Sequence, residues 1–519
     1  MTITLPSSAA PRLHRACPAA AVAAIRIGLA ALCLLAVVLL NGRPAAFPDT
    51  AFYYSQGRQL AQRAGLARPA DALAARSDPT APGSPGAAEV SGARAPGYGL
   101  ALYAAHRLGS LWLLAAAQAA IAAWLLWVLA RVVLIRRVGR AYCLLVPGLA
   151  AGSSLPFFAG FAMPDLFAAL GALAMVLLVL GGGRLRRAEQ LALAALVAIS
   201  AALHSSHLLV FAGLAATMAL GALVPWLRNL MASRLPLALA ALAAGALLTL
   251  AGSQLAAAAQ GGPQGQPPFL TARALADGPG RAYLRSACAR APSAYTLCRF
   301  ADRPLDRTED ILWSKDPTTG VFGLSDPATR RALEQEQPRF VLAVIAADPA
   351  GALAAALRNW AVQLATFRVE EPLRNPADFL GHPEMAASSL PLLIPDMGPC
   401  RRAPDSCRAR LPFDLLALLH EVVLILSVAF VGWRLSKPDV RHTLSRPKDD
   451  EDPGDLRRLL ALTGLLIAAV LINAAVCGML SGSFPRYGAR MVWLVPLAAL
   501  LLGARLGLRS AGGALAPRR

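Results

Sequence analysis

The sequence predicts an all-α polytopic membrane protein of about ten transmembrane helices with a small α-rich extracytoplasmic domain. Hydrophobic residues make up 56% of the 519 residues and charged residues only 15%, whereas about a quarter of a soluble domain is charged. Ala, Leu and Val fill repeated apolar stretches of about twenty residues, the length with which a helix crosses a bilayer. Short clusters of Lys and Arg separate these stretches, as in the basic cytoplasmic loops of membrane proteins.

The formal charge of +20 is the property that first suggests nucleic-acid binding, because clustered cations neutralise phosphates. The cations here lie between apolar stretches, and no basic face is interleaved with aromatic residues. We therefore expect no nucleic-acid partner and take membrane lipid as the surroundings of the chain.

The first apolar stretch, from Ala21 to Leu40, follows Arg12, His14 and Arg15. A cleaved secretory signal and a retained first helix both fit basic residues before an apolar run. The stretch is longer than a typical signal core, and Asn41-Gly42-Arg43-Pro44 is a poor cleavage site. These features favour a retained helix.

Ten spanning helices are predicted, and the basic clusters beside them set their orientation. With the N-terminus in the cytoplasm, the clusters at 136–140, 184–187 and 228–234 and the charged segment 434–458 fall on one side, as expected for cytoplasmic loops. Both termini are then cytoplasmic in a bacterial inner membrane. His204 to His207 leaves almost no loop, so a tight hairpin and one broken region are both open there. The predicted helices are 21–41, 110–135, 141–160, 165–183, 189–204, 207–227, 235–256, 414–433, 459–480 and 491–508.

This topology divides the chain into three parts. Residues 1–256 hold the first seven helices and a first outer loop, 42–109. Residues 257–413 form an extracytoplasmic loop domain with an apolar stretch from Phe340 to Ala356 at mixed helical spacing and scattered aromatic residues that can form a core. Residues 414–519 hold the last three helices, with a short outer loop at 481–490.

Four cysteines lie in the long outer loop, which fits disulfide bonds in an oxidising compartment. Local pairing joins Cys288 to Cys298 and Cys400 to Cys407. A zinc site is the competing interpretation, but the spacings are not Cys-x-x-Cys and no nearby His completes a site.

Two acids lie at the membrane edge on the predicted outer side. Asp49 follows the first helix in Phe47-Pro48-Asp49-Thr50, where desolvation beside apolar residues suits a carboxylate to act as a general base. Asp165 follows Pro164 at the start of the fourth helix. A helix cap is the alternative interpretation of both acids, since Asp at a helix start accepts backbone N–H bonds.

Histidines, arginines and tyrosines on the same side are candidates for binding substrate. His204 and His207 lie three residues apart, and a metal site there needs a third ligand, so hydrogen bonding to substrate or lipid phosphate is favoured. Arg486, Tyr487 and Arg490 lie in the third outer loop, where arginine forks match phosphate oxygens and interfacial anchoring is the alternative. Phosphate binding is favoured for Arg486 and anchoring for Arg490. The same argument applies to Arg94 and Tyr98 in the first outer loop.

This layout resembles the GT-C superfamily of membrane glycosyltransferases, which includes the protein mannosyltransferases and the transferase that adds aminoarabinose to lipid A. Asp49 occupies the position of the acid that follows helix one in that family. Asp165 in Met163-Pro164-Asp165 resembles the second family acid, and residues 97–109 resemble the family's membrane-edge helices. Asp49 has no acidic neighbour, however, and the long outer loop precedes the last three helices and does not trail them.

The resemblance implies a polyprenyl-phosphate-linked sugar as donor and an envelope glycan, lipid or protein as acceptor. Asp49 would be the general base and Asp165 a supporting acid that orients the acceptor. Arg486, with Arg94 or His207, would stabilise the leaving lipid phosphate. No cofactor is required, and a divalent cation is an open alternative. A transporter or flippase for a lipid-linked saccharide and a non-catalytic membrane scaffold are the competing functions, and the sequence leaves the oligomeric state open.

Overall fold

The structure is a computed structural model that describes residues 17–66, 95–134, 138–260, 265–369, 411–438, 440 and 453–513. It is about 80% helical. The described residues contain no strand, and a single bridge pairs Ala45 with Phe161. Three of the candidate site residues, Arg94, Cys400 and Cys407, lie outside the described residues.

The described residues of the N-terminal half form twelve α-helices, several of which begin at a proline, the residue favoured in the first helical turn. They are α1 Cys17–Leu34, α2 Ala36–Asn41, α3 Pro48–Arg63, α4 Pro96–Arg107, α5 Trp112–Leu134, α6 Val138–Gly152, α7 Leu155–Ala159, α8 Leu166–Leu180, α9 Arg187–Ala202, α10 Ser205–Gly221, α11 Pro225–Met231 and α12 Leu235–Gln260.

The second half contains the long loop between membrane helices and then the last membrane helices. Its α-helices are α13 Phe269–Asp277, α14 Pro279–Arg290, α15 Thr308–Trp313, α16 Pro327–Ala347, α17 Pro349–Ala365, α18 Phe413–Ser436, α19 Pro453–Leu480, α20 Pro485–Val492 and α21 Leu494–Gly513.

Five helical segments in the described residues are long and apolar enough to cross a membrane, and a sixth arises if α16 and α17 count as one bent span. The five are Trp112–Leu134, Leu235–Ala258, Phe413–Ser436, Asp455–Leu480 and Pro485–Arg505. A helix is also present at each of the other predicted positions, but these helices are shorter or less apolar. The chain is therefore a helical membrane protein, and the total of ten crossings stays a prediction.

The centre of the bundle is α8, because all fifteen of its residues are buried. Its sequence has no charged residue, as expected for a helix that is apolar all round and surrounded by protein. Asp165 precedes α8 at one end of the bundle, and Arg184 follows it at the other. The cluster around Asp165 defines what we call the site face.

Ion pairs join the helices at the opposite face. Arg184 and Arg505 both bind the carboxylate of Asp455, at the start of α19. Arg131 of α5 pairs with Glu189 of α9. Arg184 also donates to the carbonyl of Val132 in α5. These contacts bring together the ends of α5 and α8, the starts of α9 and α19, and Arg505 within α21.

Residues 269–347 have a hydrophobic core of their own, built around Tyr295, Phe322 and Phe340. A disulfide bond joins Cys288 to Cys298 at the edge of this core. Glu336 of α16 accepts backbone hydrogen bonds from Thr296 and Leu297. The folded unit predicted within the long loop thus has a separate core and a covalent crosslink.

Candidate functional site at one end of the bundle

Asp49 lies in the first turn of α3, but it does not cap this helix. Phe47 is the capping residue, and its backbone N–H donates to the side-chain oxygen of Thr50 at 2.9 Å. The Thr50 hydroxyl in turn donates to the carbonyl of Ala162, 3.0 Å away, which ties α3 to the segment before Asp165. The Asp49 carboxylate instead lies 3.6 Å from Nη2 of Arg486.

Asp165 holds the capping position of α8 without a side-chain capping bond. Its Oδ1 accepts from Nη1 of Arg490 at 3.3 Å and lies 3.9 Å from Nε of Arg486. Both predicted acids therefore bind arginines from the loop and helix at 485–492. The capping interpretation does not account for either carboxylate.

Arg486 is the residue that brings the two acids together, since its guanidinium lies within ion-pair distance of both. It also lies over two aromatic rings, 4.0 Å from the Phe47 centroid and 5.3 Å from that of Tyr487. Cation–π contacts of this kind hold a guanidinium in place while leaving its N–H groups for an anion. Its side chain is 11% exposed and that of Asp49 is 20% exposed.

Arg490 lies one helical turn deeper and is fully buried. Its guanidinium donates to Asp165, to Oδ1 of Asn473 at 2.9 and 3.2 Å, and to the Ser206 hydroxyl at 3.1 Å. Cys477 Sγ lies 3.3 Å from Nη2. The interpretation of Arg490 as an interfacial anchor is therefore corrected, because a guanidinium with this burial and these partners faces neither headgroups nor water.

The four charged side chains of this cluster differ in how deeply they are buried. We call Asp49 and Arg486 the rim pair, because both side chains are partly exposed, and Asp165 and Arg490 the buried pair. The two acids and two arginines balance formally. An anion that reaches the rim can thus exchange with Asp49 for Arg486 while the buried pair keeps its partners.

The two predicted histidines occupy different positions. The Nδ1 of His204 accepts from the backbone N–H of Ser206 and caps α10. His207 is fully buried, and its Nδ1 lies 2.9 Å from the carbonyl of Ser200. Since a carbonyl only accepts, Nδ1 of His207 donates and Nε2 is the free acceptor of the neutral ring. Among the described residues, Nε2 has no hydrogen-bond partner.

The tyrosines are also divided. Tyr487 packs beneath both arginines, with its ring 5.0 Å from the Arg490 guanidinium. Tyr98 is only 1% exposed, and its hydroxyl donates to Oε1 of Gln118. Gln118 donates to the carbonyls of Ala159 and Phe161. Tyr98 therefore joins α4 to α5 and has little surface to offer a ligand.

Two side chains that sequence reasoning did not single out complete the cluster. Asn473 lies in an apolar part of α19, accepts from Arg490 and donates to the carbonyl of Tyr487 at 2.7 Å. An amide within a spanning helix normally faces a partner, and this is the sequence signal that could have identified Asn473. Ser206 lies between the two histidines and carried no comparable signal.

A metal site has no support in the described residues, which contain no group of three or more His, Cys, Asp or Glu side chains able to hold an ion. Comparisons of the chain with protein-family models, curated proteins and solved structures found no match. The function is therefore inferred from the geometry of the cluster.

Proposed function

We propose that this protein is a membrane glycosyltransferase that moves a sugar from a polyprenyl-phosphate donor to an envelope glycan, lipid or protein. The observation that carries the proposal is the rim pair, a carboxylate and an arginine 3.6 Å apart, partly exposed at one end of a membrane bundle. A lipid phosphate and an acceptor hydroxyl are the two groups that such a pair can serve at a membrane surface.

Arg486 is the phosphate-binding group in this proposal. Its two aromatic contacts hold the planar guanidinium in place, and arginine forms two parallel hydrogen bonds with phosphate oxygens. Binding of the donor phosphate displaces Asp49 from Arg486. The displaced carboxylate then lies next to the bound sugar, where it can accept a hydrogen bond from the acceptor hydroxyl.

Asp49 is the catalytic base. The acceptor oxygen forms a bond to the anomeric carbon of the sugar while the bond from that carbon to the phosphate oxygen breaks. The proton of the acceptor hydroxyl moves to Asp49, and the leaving phosphate keeps the bonding electron pair. Arg486 stabilises the charge that develops on this phosphate, which is the point where fixed donors lower a barrier most.

Asp165 is a positioning residue in this scheme, because its side chain is 4% exposed and bound to Arg490. This differs from the expectation that it orients the acceptor directly. Its Oδ1 lies 3.9 Å from Nε of Arg486 and helps to hold that guanidinium in place. The donor phosphate binds the same guanidinium in place of Asp49.

The experiment uses membranes that contain the overproduced protein, supplied with a panel of polyprenyl-phosphate sugars labelled in the sugar. We expect the label to become covalently attached to an acceptor and the released polyprenyl phosphate to accumulate in equal amount. Movement of the intact labelled lipid between leaflets without covalent transfer would contradict the proposal and indicate a flippase. If no donor supports either transfer or movement, the result favours a non-catalytic scaffold.

A further inference from the structure

The last helix of the outer-domain core and the helix that follows it meet at a sharp bend. α16 ends at Ala347 and α17 begins at Pro349, with an angle of 107° between them. Asp348 lies at the bend, where its carboxylate accepts from the backbone N–H of Gly351 at 2.8 Å. We call residues 340–357 on either side of this bend the elbow.

The second helix of the elbow packs along the spanning helix α19. Beyond the end of α19, Gln363 exchanges two hydrogen bonds of 3.0 Å with the backbone of Phe484. Asn359 lies against Gly478, where an added Cβ would come within 2.5 Å of its carbonyl oxygen. Of these three residues, Trp360 contacts α19 farthest from its C-terminal end: its indole N–H donates to the carbonyl of Leu471 at 3.0 Å.

These contacts set the depth of the elbow. Leu471 precedes the end of α19 at Leu480 by nine residues, which is roughly 13 Å along a helix. Side chains lean toward the N-terminus of their helix, and Trp360 contacts α19 farther from its end than Gln363 does. Pro349, at the start of α17, therefore lies farther from the end of α19 than Gln363. The bend therefore lies below the end of a helix that crosses the membrane.

The surface of the elbow is apolar where no protein covers it. Leu342 is 67% exposed and Leu353 is 61% exposed, and Ile345 and Leu357 are each 46% exposed. Between Arg339 and Arg358, Asp348 is the only charged residue, and its carboxylate satisfies a backbone donor at the start of α17. Exposed apolar residues on both helices, at membrane depth, are suited to contact hydrocarbon.

We infer that the elbow is a re-entrant element that inserts into the acyl-chain region of the leaflet at the site face. The chain enters this leaflet along α16, turns at Asp348 and leaves along α17 without crossing. This placement differs from the expectation that residues 257–413 lie wholly outside the membrane. The inference does not depend on sugar transfer.

The elbow is coupled to the candidate site by the backbone. Residues 366 and 367 lie so close to Gly488 that an added Cβ would come within 2.2 Å of the Thr366 carbonyl. The two bonds between Gln363 and Phe484 hold the residue two positions before Arg486. The leaflet thus fixes the height of the rim pair above the hydrocarbon, at the level where a lipid phosphate lies.

Spin labels test this inference in the full-length protein in liposomes. Labels are placed singly at Leu342→Cys and Leu353→Cys, with Thr318→Cys in an exposed turn of the outer domain as the matched control. The disulfide between Cys288 and Cys298 is retained, and Ser replaces the other cysteines: Cys17, Cys33, Cys143, Cys400, Cys407 and Cys477. Collisions with oxygen, which concentrates in hydrocarbon, are compared with collisions with a water-soluble nickel chelate.

We expect the ratio of oxygen to nickel collisions to be severalfold higher at both elbow positions than at position 318. A ratio at the elbow equal to that at position 318 would overturn the inference and place the elbow in water. Low collision with both reagents, together with spin–spin broadening that grows with the labelled fraction, would also overturn it, because a second copy of the chain would then cover the surface.

Discussion

Two arginines four residues apart on α20 have different surroundings and therefore different roles. Arg486 is 11% exposed and lies over the rings of Phe47 and Tyr487. Arg490 is completely buried and bound by Asp165, Asn473 and Ser206. We expect Arg486 to act on the donor and Arg490 to stabilise the fold.

Replacement of Arg486 tests the first of these roles. Arg486→Ala should lower kcat/KM for the polyprenyl-phosphate donor roughly 10- to 100-fold, because a charge-assisted hydrogen bond contributes about 1.5–3 kcal/mol. Arg486→Lys should recover part of the loss, since it keeps the charge without the fork. Initial rates at varied donor concentration measure the effect, and Arg331→Ala, an exposed arginine of α16, is the control. An unchanged kcat/KM in Arg486→Ala would remove this residue from donor binding.

Replacement of Asp165 tests the second role. Asp165→Asn leaves the buried Arg490 without its counter-charge, and breaking a buried ion pair in this way costs on the order of 3 kcal/mol. We expect a lower unfolding temperature in detergent micelles, with part of the loss recovered in the double variant Asp165→Asn with Arg490→Gln. If Asp165→Asn unfolds at the wild-type temperature, the buried pair does not stabilise the bundle.

The sequence identified Asp49, Asp165 and Arg486 because each stands at the end of an apolar stretch, where an ionisable side chain is conspicuous. It did not show that they converge, since Asp49 and Arg486 are more than 400 residues apart and only packing of the bundle joins them. The sequence favoured phosphate binding for Arg486 and interfacial anchoring for Arg490. It did not show that Arg490 is buried, because that burial depends on contacts with Asn473 and Ser206.

At the scale of elements, α3 and α4, both in the first outer loop, are in close backbone contact. A Cβ added at Gly57 would lie 1.9 Å from the carbonyl oxygen of Gly99, and one added at Gly99 would lie 2.2 Å from that of Tyr53. Two backbones approach this closely only where both residues lack a side chain. Asp49 begins α3, so this crossing orients the candidate base.

A methyl group at this crossing should separate the two helices. Gly99→Ala should destabilise the protein by about 1–3 kcal/mol, the usual cost of overpacking, and should lower any transfer activity through movement of α3. Gly432→Ala is the matched control, because nothing lies within 4 Å of the added Cβ in α18. Unfolding temperatures of the two variants provide the comparison. Equal stability of Gly99→Ala and Gly432→Ala would show that the contact is looser than described.

Most of the membrane helices could be predicted because an apolar stretch between basic clusters is a local property of the sequence. The apolar stretch from Phe340 to Ala356 could not be placed in this way. The bend at Asp348 divides it between two helices, and the bond that places the second helix joins Trp360, four residues after the stretch, to Leu471, more than 100 residues later. Its mixed periodicity predicted helix but not the membrane depth.

At the scale of the whole molecule, the disulfide between Cys288 and Cys298 bears on orientation. Disulfides persist on the oxidising side of a bacterial inner membrane and are rare in the cytoplasm. We expect both thiols to resist alkylation in intact cells until a reductant is added, as measured by a mass shift with a maleimide reagent. Alkylation of both thiols without a reductant would place this domain, and with it the rim pair, on the cytoplasmic side.

In the proposed function, Asp49 is the base of a sugar transfer at the site face. The most direct measurement is the initial rate of label transfer from the active polyprenyl-phosphate donor by wild type, Asp49→Asn and Asp306→Asn at matched membrane content. Asp306 is an exposed acid of the outer domain and serves as the control for the loss of one negative charge. We expect Asp306→Asn to transfer at the wild-type rate and Asp49→Asn to lose transfer while keeping the wild-type unfolding temperature. Transfer by Asp49→Asn at the rate of the other two proteins would contradict the account.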